Sequence, residues 1–295
     1  MWKHIFLAVL VTGIAVVILM WNAGSLWALP RQIPLEDFFR NPEKVSFSLS
    51  PNGEYLAYTQ PWQRRMNVYV QKIGSHDEPL RLTEATARNV AGYFWKGNDR
   101  IIYIQDSGGD ENYHLFSVDI TGKNKKELTP FPNVRVSIVD DLEDVENEMI
   151  IAMNRRDSRL FDVYRINVTT GEMGLVAENP GDIAGWLTDN EGKLRAAVRS
   201  DGVQTSLLYR KTEDEPFRTV ITTNFKDSVS PLFFTFDNRY LYVASNLHRD
   251  KSAIYRYDPE TGTFLDLVYE HPEVDVYRLL RSNKRQVIMG VLVIT

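Results

Sequence analysis

From residue 45 onward, one strand pattern returns at a nearly constant interval. It appears as "YLAYT" at 55, "RIIYI" at 100, "EMIIA" at 148, "KLRAAV" at 193, "YLYVA" at 240 and "QVIMG" at 286, in steps of 45, 48, 45, 47 and 46 residues. A second pattern follows each of the first five: "NVYVQ", "HLFSVD", "DVYRIN", "LLYRK" and "AIYRYD". Aligned on Tyr69, Phe116, Tyr164, Tyr209 and Tyr255, it steps by 47, 48, 45 and 46 residues. Two interleaved series with one period make each repeat a single supersecondary unit that must stack on its neighbours to bury its apolar faces.

Within a unit the order is constant. An opening strand ("VSFSLS", "AGYFWK", "VRVSIV", "IAGWLT", "PLFFTF") leads through an Asn-, Asp- or Gly-rich turn into the two repeating strands. A short fourth strand closes the unit ("LRLT", "KKELT", "MGLVAE", "RTVIT", "LDLVYE"). Four antiparallel strands every 46 residues or so predict an all-β fold, a β-propeller of four-stranded blades over residues 45–295. Solenoid repeats are shorter or helical, and paired sandwiches would not keep so even a period. The count predicts five complete blades and the start of a sixth. Because a ring closes to remove its sheet edges, the final apolar run "RQVIMGVLVIT" gives the expectation of a truncated propeller.

The residues before the propeller have a different character. Residues 5–21, "IFLAVLVTGIAVVILMW", carry no charge, and apolar character continues to Leu29 behind a short leading segment with Lys3. The stretch is longer than a typical cleaved apolar region and close to the length that spans a bilayer. Residues 1–29 are therefore expected to be an N-terminal hydrophobic helix, either a signal peptide cleaved near Ala23-Gly24-Ser25 or a transmembrane anchor formed by residues 5–29. Both alternatives export the remainder to a periplasmic or other extracytoplasmic space. Residues 30–44 are expected to be a linker with a short helix over 34–41, "PLEDFFRN", with Pro34 at its start and acids in its first turn.

Catalytic signatures are few. The chain holds no G-x-S-x-G elbow, no H-E-x-x-H and no P-loop. Its five histidines are scattered without a second ligand at metal spacing, and it has no cysteine, so no catalytic residue, cofactor or metal is assigned. A net charge of -5 without a basic stripe excludes nucleic acid as a partner. Ionic residues gather instead in the turns between second and third strands: "QPWQRRMN", "QDSGGDENY", "NRRDSRLFD", "RSDGVQTS" and "NLHRDKSA". Those turns open on one face of the disc. The face is either a solvated rim or a docking surface for a partner domain or a charged peptide terminus, with Asp106, Asp110, Glu111, Asn112, Arg155, Arg156 and Arg249 as candidate contacts. Asp106, Asp110 and Glu111 do not have calcium-loop spacing. Gly108 and Gly109 are expected to supply positive φ to a turn, with Asn112 bonding local backbone.

Several stretches carry a family resemblance: "IPLEDFFRNPEKVSFSLSPNGEYLAYTQ" (33–60), "GGDENYHLFSVD" (108–119), "KKELTPFPNV" (125–134), "NRRDSRLFDVYRINVTTGE" (154–172) and "ENPGDIAGWLTDNEGKLRAA" (178–197). The chain resembles the propeller of prolyl oligopeptidase family serine peptidases, in the acylaminoacyl peptidase and dipeptidyl aminopeptidase branch. The resemblance runs from about residue 33 to the end, and "GGDENYHLFSVD" with "NRRDSRLFDVYRIN" is its most specific part. It implies a propeller that restricts peptide access to a Ser-Asp-His triad on a C-terminal α/β-hydrolase domain. That domain is not matched here, so no catalytic residue carries over, and the chain alone is expected to be inactive. The alternative is a stand-alone periplasmic propeller, similar to TolB, that binds proteins or peptides.

Overall fold

The computed structural model describes residues 32–293. The chain divides into two compact units, residues 1–42 and 43–295. The expected signal or anchor, residues 1–29, lies outside the described residues. Among the described residues, no helix is long and apolar enough to cross a membrane. In the first unit a five-residue helix, α1 (Leu35–Phe39), starts after Pro34, with Glu36 and Asp37 in its first turn. A helix N-terminus presents unpaired N–H groups, which favours acids there.

The second unit is built as the repeat predicts. Five four-stranded antiparallel sheets follow one another in chain order, and a two-stranded sheet follows the fifth. Blade one comprises β1 (Val45–Leu49), β2 (Tyr55–Trp62), β3 (Arg65–Lys72) and β4 (Leu80–Arg81). Blade two comprises β5 (Gly92–Lys96), β6 (Arg100–Gln105), β7 (His114–Asp119) and β8 (Lys126–Glu127), and blade three β9 (Val136–Asp140), β10 (Glu148–Asp157), β11 (Leu160–Asn167) and β12 (Met173–Ala177). Blade four has β13 (Ile183–Thr188), β14 (Leu194–Ser200), β15 (Thr205–Tyr209) and β16 (Arg218–Thr223); blade five has β17 (Val229–Phe234), β18 (Leu241–Ser245), β19 (Ala253–Asp258) and β20 (Thr263–Tyr269). The sixth sheet pairs β21 (Val276–Ser282) with β22 (Val287–Val293).

The two sequence series are each other's cross-strand partners. Tyr58 faces Tyr69, Tyr103 faces Phe116, Ile151 faces Tyr164, Ala196 faces Tyr209 and Val243 faces Tyr255. Conserving the period in both series therefore conserves the register, because a one-residue slip would send every side chain to the opposite face.

Blades pack face to face, so their middle strands are apolar on both sides. Ile101 and Tyr103 join Ala57, Val68 and Val70 of blade one, while Ile102, one position along, joins Met149, Ile151 and Met153 of blade three. Ile150 points the other way, to Leu194 of blade four. In blade five, Leu241 and Val243 pack on Tyr209 of blade four, whereas Ile254 packs on Val276 and Leu279 of the sixth sheet. Period-two strands buried on both faces read as near-continuous hydrophobic runs, which is why "RIIYI" and "EMIIA" show no polar alternation.

Three local details differ from the sequence reading. The fourth strands of blades one and two shrink to two residues each. In blade one, β2 and β3 extend until only Gln63 and Arg64 remain between them, both left-handed at φ 48° and 66°. Such a primed two-residue turn matches the twist of the strands it joins. In blade three, β10 and β11 run to Asp157 and from Leu160, so Arg155 and Arg156 belong to a strand rather than a turn.

Candidate functional site

Antiparallel order gives the disc two chemically different faces. One carries the turns between second and third strands together with the crossovers between blades, where the candidate contacts were expected. The structure shows much of its charge engaged within the blade. Asp106 is buried (side chain 3% exposed) and accepts from Arg88 Nε of the preceding crossover at 3.1 Å. Arg156 binds Asp162 through two nitrogens, at 2.9 and 2.8 Å, and also the Asn179 carbonyl at 2.8 Å. Asp162 is 1% exposed and also accepts from the Asn179 backbone N–H at 2.7 Å. Arg249 donates to the Tyr255 hydroxyl at 2.9 Å and to Glu270 at 2.6 Å, and these partners hold its guanidinium above the ordinary range, the hydroxyl contributing most.

The remaining candidates stand outward. Gly108 and Gly109 adopt φ of 66° and 88°, as the turn requires. Asn112 differs from expectation: its backbone N–H and side-chain amide both donate to the Asp110 carboxylate, at 3.0 and 3.1 Å, rather than its side chain bonding backbone. The backbone bond is the main reason the Asp110 carboxyl lies below the usual carboxylate range. Glu111 is exposed with a left-handed φ of 58°. Arg155 lies over the Phe131 ring, 3.9 Å from its centroid.

The opposite face carries the turns between first and second strands, and it opens into a cavity of about 990 Å³. First strands β5, β9, β13, β17 and β21 contribute to its wall through Phe94, Ile138, Leu187, Phe233 and Leu279, so the cavity lies on the propeller axis. Hydrogen bonds between equivalent turns, one repeat apart, brace its rim. Asn98 Oδ1 accepts from the Asn52 N–H at 3.0 Å, and Asn238 Oδ1 from the Asn190 N–H at 2.9 Å.

The cavity mouth is strongly acidic. Residues 140–148, "DDLEDVENE", hold six carboxylates and no basic residue, and Asp140, Asp141, Glu143 and Asp144 line the cavity. Burial, then Glu143 and Asp140, push the Asp141 carboxyl up. Lys96, 2% exposed, donates through Nζ to the Asp141 carbonyl and, at 2.8 Å, to that of Leu142. Burial lowers the Lys96 ammonium, with the surrounding carboxylates acting against it. Arg281 stacks on Phe233 at 4.4 Å; burial likewise lowers its guanidinium against the opposing pull of Asp140, Glu143 and Asp141. Among the described residues, no group of three or more His, Cys, Asp or Glu side chains is placed to hold a metal ion. The sequence signal for this site is the acidic "DDLEDVENE" run in a first-to-second turn, which matches no catalytic or metal-binding motif.

No protein-family model matches the chain. It is, however, 31% identical over 253 residues to dipeptidyl aminopeptidase BIII of Pseudoxanthomonas mexicana, a match that covers 83% of this chain and 36% of the relative. This is a propeller of the prolyl oligopeptidase family. The chain thus spans about a third of that curated relative's length. Solved structures share the fold of this prolyl oligopeptidase-family propeller at low identity. Dipeptidyl peptidase 4 of Porphyromonas gingivalis aligns with a TM-score of 0.55 at 12% identity, over 84% of this chain and 42% of its own. Prolyl oligopeptidase B of Galerina marginata aligns with a TM-score of 0.55 at 12% identity, over 82% and 37%.

Proposed function

We propose that this propeller is the non-catalytic, substrate-gating portion of an exported serine peptidase acting on peptides. In this reading it works beside an α/β-hydrolase domain that supplies the Ser-Asp-His triad, and its N-terminal segment directs export or anchors it to a membrane. The observation that carries the reading is the 31% identity to a dipeptidyl aminopeptidase across 83% of the chain. The axial cavity supports it: at about 990 Å³ it has the size of a small-ligand or short-peptide site and is too small for a folded protein.

For the ionic face, the reading assigns contact with the hydrolase domain to the exposed Asp110, Glu111 and Arg155. Asp106 and Arg249 are engaged within the blade, while Asn112 and Arg156 brace the carboxylates of Asp110 and Asp162. Mixed charge suits polar domain docking.

Two measurements test the proposal. The purified full chain should show no turnover of dipeptidyl or aminoacyl p-nitroanilides, and hydrolysis at a rate above blank would overturn its non-catalytic role. Fluorescence anisotropy should detect a fluorescein-labelled Ala-Ala-Lys-Ala peptide bound to the chain, competed by unlabelled short peptides and not by a folded protein.

A further inference from the structure

The loop joining β9 to β10, residues 141–147, is the longest of the first-to-second connections and forms part of the cavity mouth. Its ends and its tip are held very differently. At the base, Leu142 is buried and left-handed, at φ 50°, with its N–H donated to Asp140 Oδ1 at 2.8 Å. The Leu142 side chain packs so closely on Gly192 of blade four that a Cβ there would lie 2.4 Å from it. Lys96 of blade two holds the Asp141 and Leu142 carbonyls, and the Thr188 hydroxyl of blade four holds Asp140. Neighbouring blades on both sides therefore pin the base with buried and part-buried bonds.

At the far end Asn147 accepts from the Val168 N–H at 2.8 Å and the Thr169 hydroxyl at 3.1 Å, and within the loop the Val145 N–H donates to the Leu142 carbonyl at 2.8 Å. Between these ends, the tip reaches across the cavity through an exposed contact. Glu143 Oε2 accepts from Asn283 Nδ2 at 2.9 Å, and the two residues are 140 apart in sequence. Asn283 belongs to the turn between β21 and β22, so the bond reaches from blade three to the sixth sheet, which is not its neighbour. An exposed hydrogen bond exchanges readily with water, whereas buried bonds to a charged donor do not. The carboxylates of Asp140, Asp141, Glu143 and Asp144 also repel one another where they crowd the mouth, with Lys96 and Arg281 as the cations that oppose them.

We infer that residues 143–146 form a gate over the axial cavity, hinged at Leu142 and Asn147 and latched shut by the Glu143–Asn283 contact. The gate controls access to the cavity described above, and what passes it rests on the peptide reading. A firm base with a weak tip is the arrangement a lid requires, since opening then breaks few interactions.

The absence of cysteine from the chain makes site-specific labelling clean. In the full chain, the double variant D144C/K284C carries a spin label on each side of the latch while keeping Glu143 and Asn283. Pulsed dipolar spectroscopy should resolve a dominant short distance and a minor longer one, and adding N283A should raise the longer population severalfold. A single short distance unmoved by N283A overturns the gate. Saturating Ala-Ala-Lys-Ala should also change the balance; two populations that respond to N283A but not to peptide uphold the gate and overturn the peptide reading. Bridging the same cysteines with a short bis-maleimide should slow peptide association at least tenfold, and an unchanged rate in the bridged chain overturns the gate. Near-UV circular dichroism matching the parent chain establishes that each variant is folded.

Discussion

The two faces of this disc are both rich in charge, yet they use it in opposite ways. On the face of second-to-third turns, charged side chains close on partners within their own blade: Arg88 with Asp106, Arg156 with Asp162, Arg199 with Asp182, Arg249 with Glu270. Arg88 and Asp182 lie in the crossovers entering blades two and four and Glu270 in the one leaving blade five, while Arg156 and Asp162 join adjacent strands of blade three. On the axial-cavity face, the bonds run between blades, and Asp140, Asp141, Glu143 and Asp144 surround an opening. Charge satisfied inside a blade stabilises that blade, whereas charge gathered around a concave opening shapes a field that a ligand meets. Counting ionic residues along the sequence does not separate these cases.

The sharpest way to break that contrast is to remove the buried carboxylate of the ionic face. Asp162→Ala leaves the buried Asn179 N–H without its acceptor and the Arg156 guanidinium with only the Asn179 carbonyl, and should lower unfolding free energy by about 3 kcal/mol in urea titrations. Below the transition, peptide binding by the folded variant should be unchanged, and a large loss of affinity would join the two faces into one functional unit. On the opposite face, Lys96→Met strands the Asp141 carbonyl, leaves that of Leu142 with only the Val145 N–H, and should cost about 2 kcal/mol. Unlike Asp162→Ala, it should also alter peptide association, because the hinge of the β9–β10 loop loses its anchor.

A smaller effect is expected at Gly192, whose φ of +73° suits glycine and whose missing Cβ makes room for Leu142. Gly192→Ala should destabilise by roughly 1–2 kcal/mol in the same titration, from backbone strain and displacement of Leu142. Faster hydrogen exchange at residues 141–145 in this variant would place the strain at the hinge. The smallest effect concerns an exposed pair of the ionic face. Arg159 binds Asp157 and depresses its carboxyl from 3.8 to about 2, through its side-chain bond first and then its backbone N–H. A carboxyl held low in the folded state contributes stability above its ordinary pKa, and that contribution is lost as pH falls towards 2. A carbon-detected NMR titration should find the Asp157 midpoint near 2 in the parent chain and closer to 3.8 in Arg159→Ala.

The sequence by itself determined the fold, down to the register. Tyr58 with Tyr69, or Ile151 with Tyr164, recur because a strand buried on both faces between two blades tolerates neither a polar residue nor a one-residue slip, so the period is written in local residue type. The turn at Gly108 and Gly109 was legible for a similar reason: a positive φ is a local demand met by a particular residue. Arg155 and Arg156 were read as turn residues because strand length is set by pairing with β11, which composition does not show. Only the tertiary structure decided which charges are engaged. Asp106 meets an arginine 18 residues away, Lys96 meets a loop 45 residues on, and Asn283 meets Glu143 across 140 residues. Such pairings depend on distances through space that the arrangement of the blades alone creates, and so does the cavity whose wall is drawn from five separate strands.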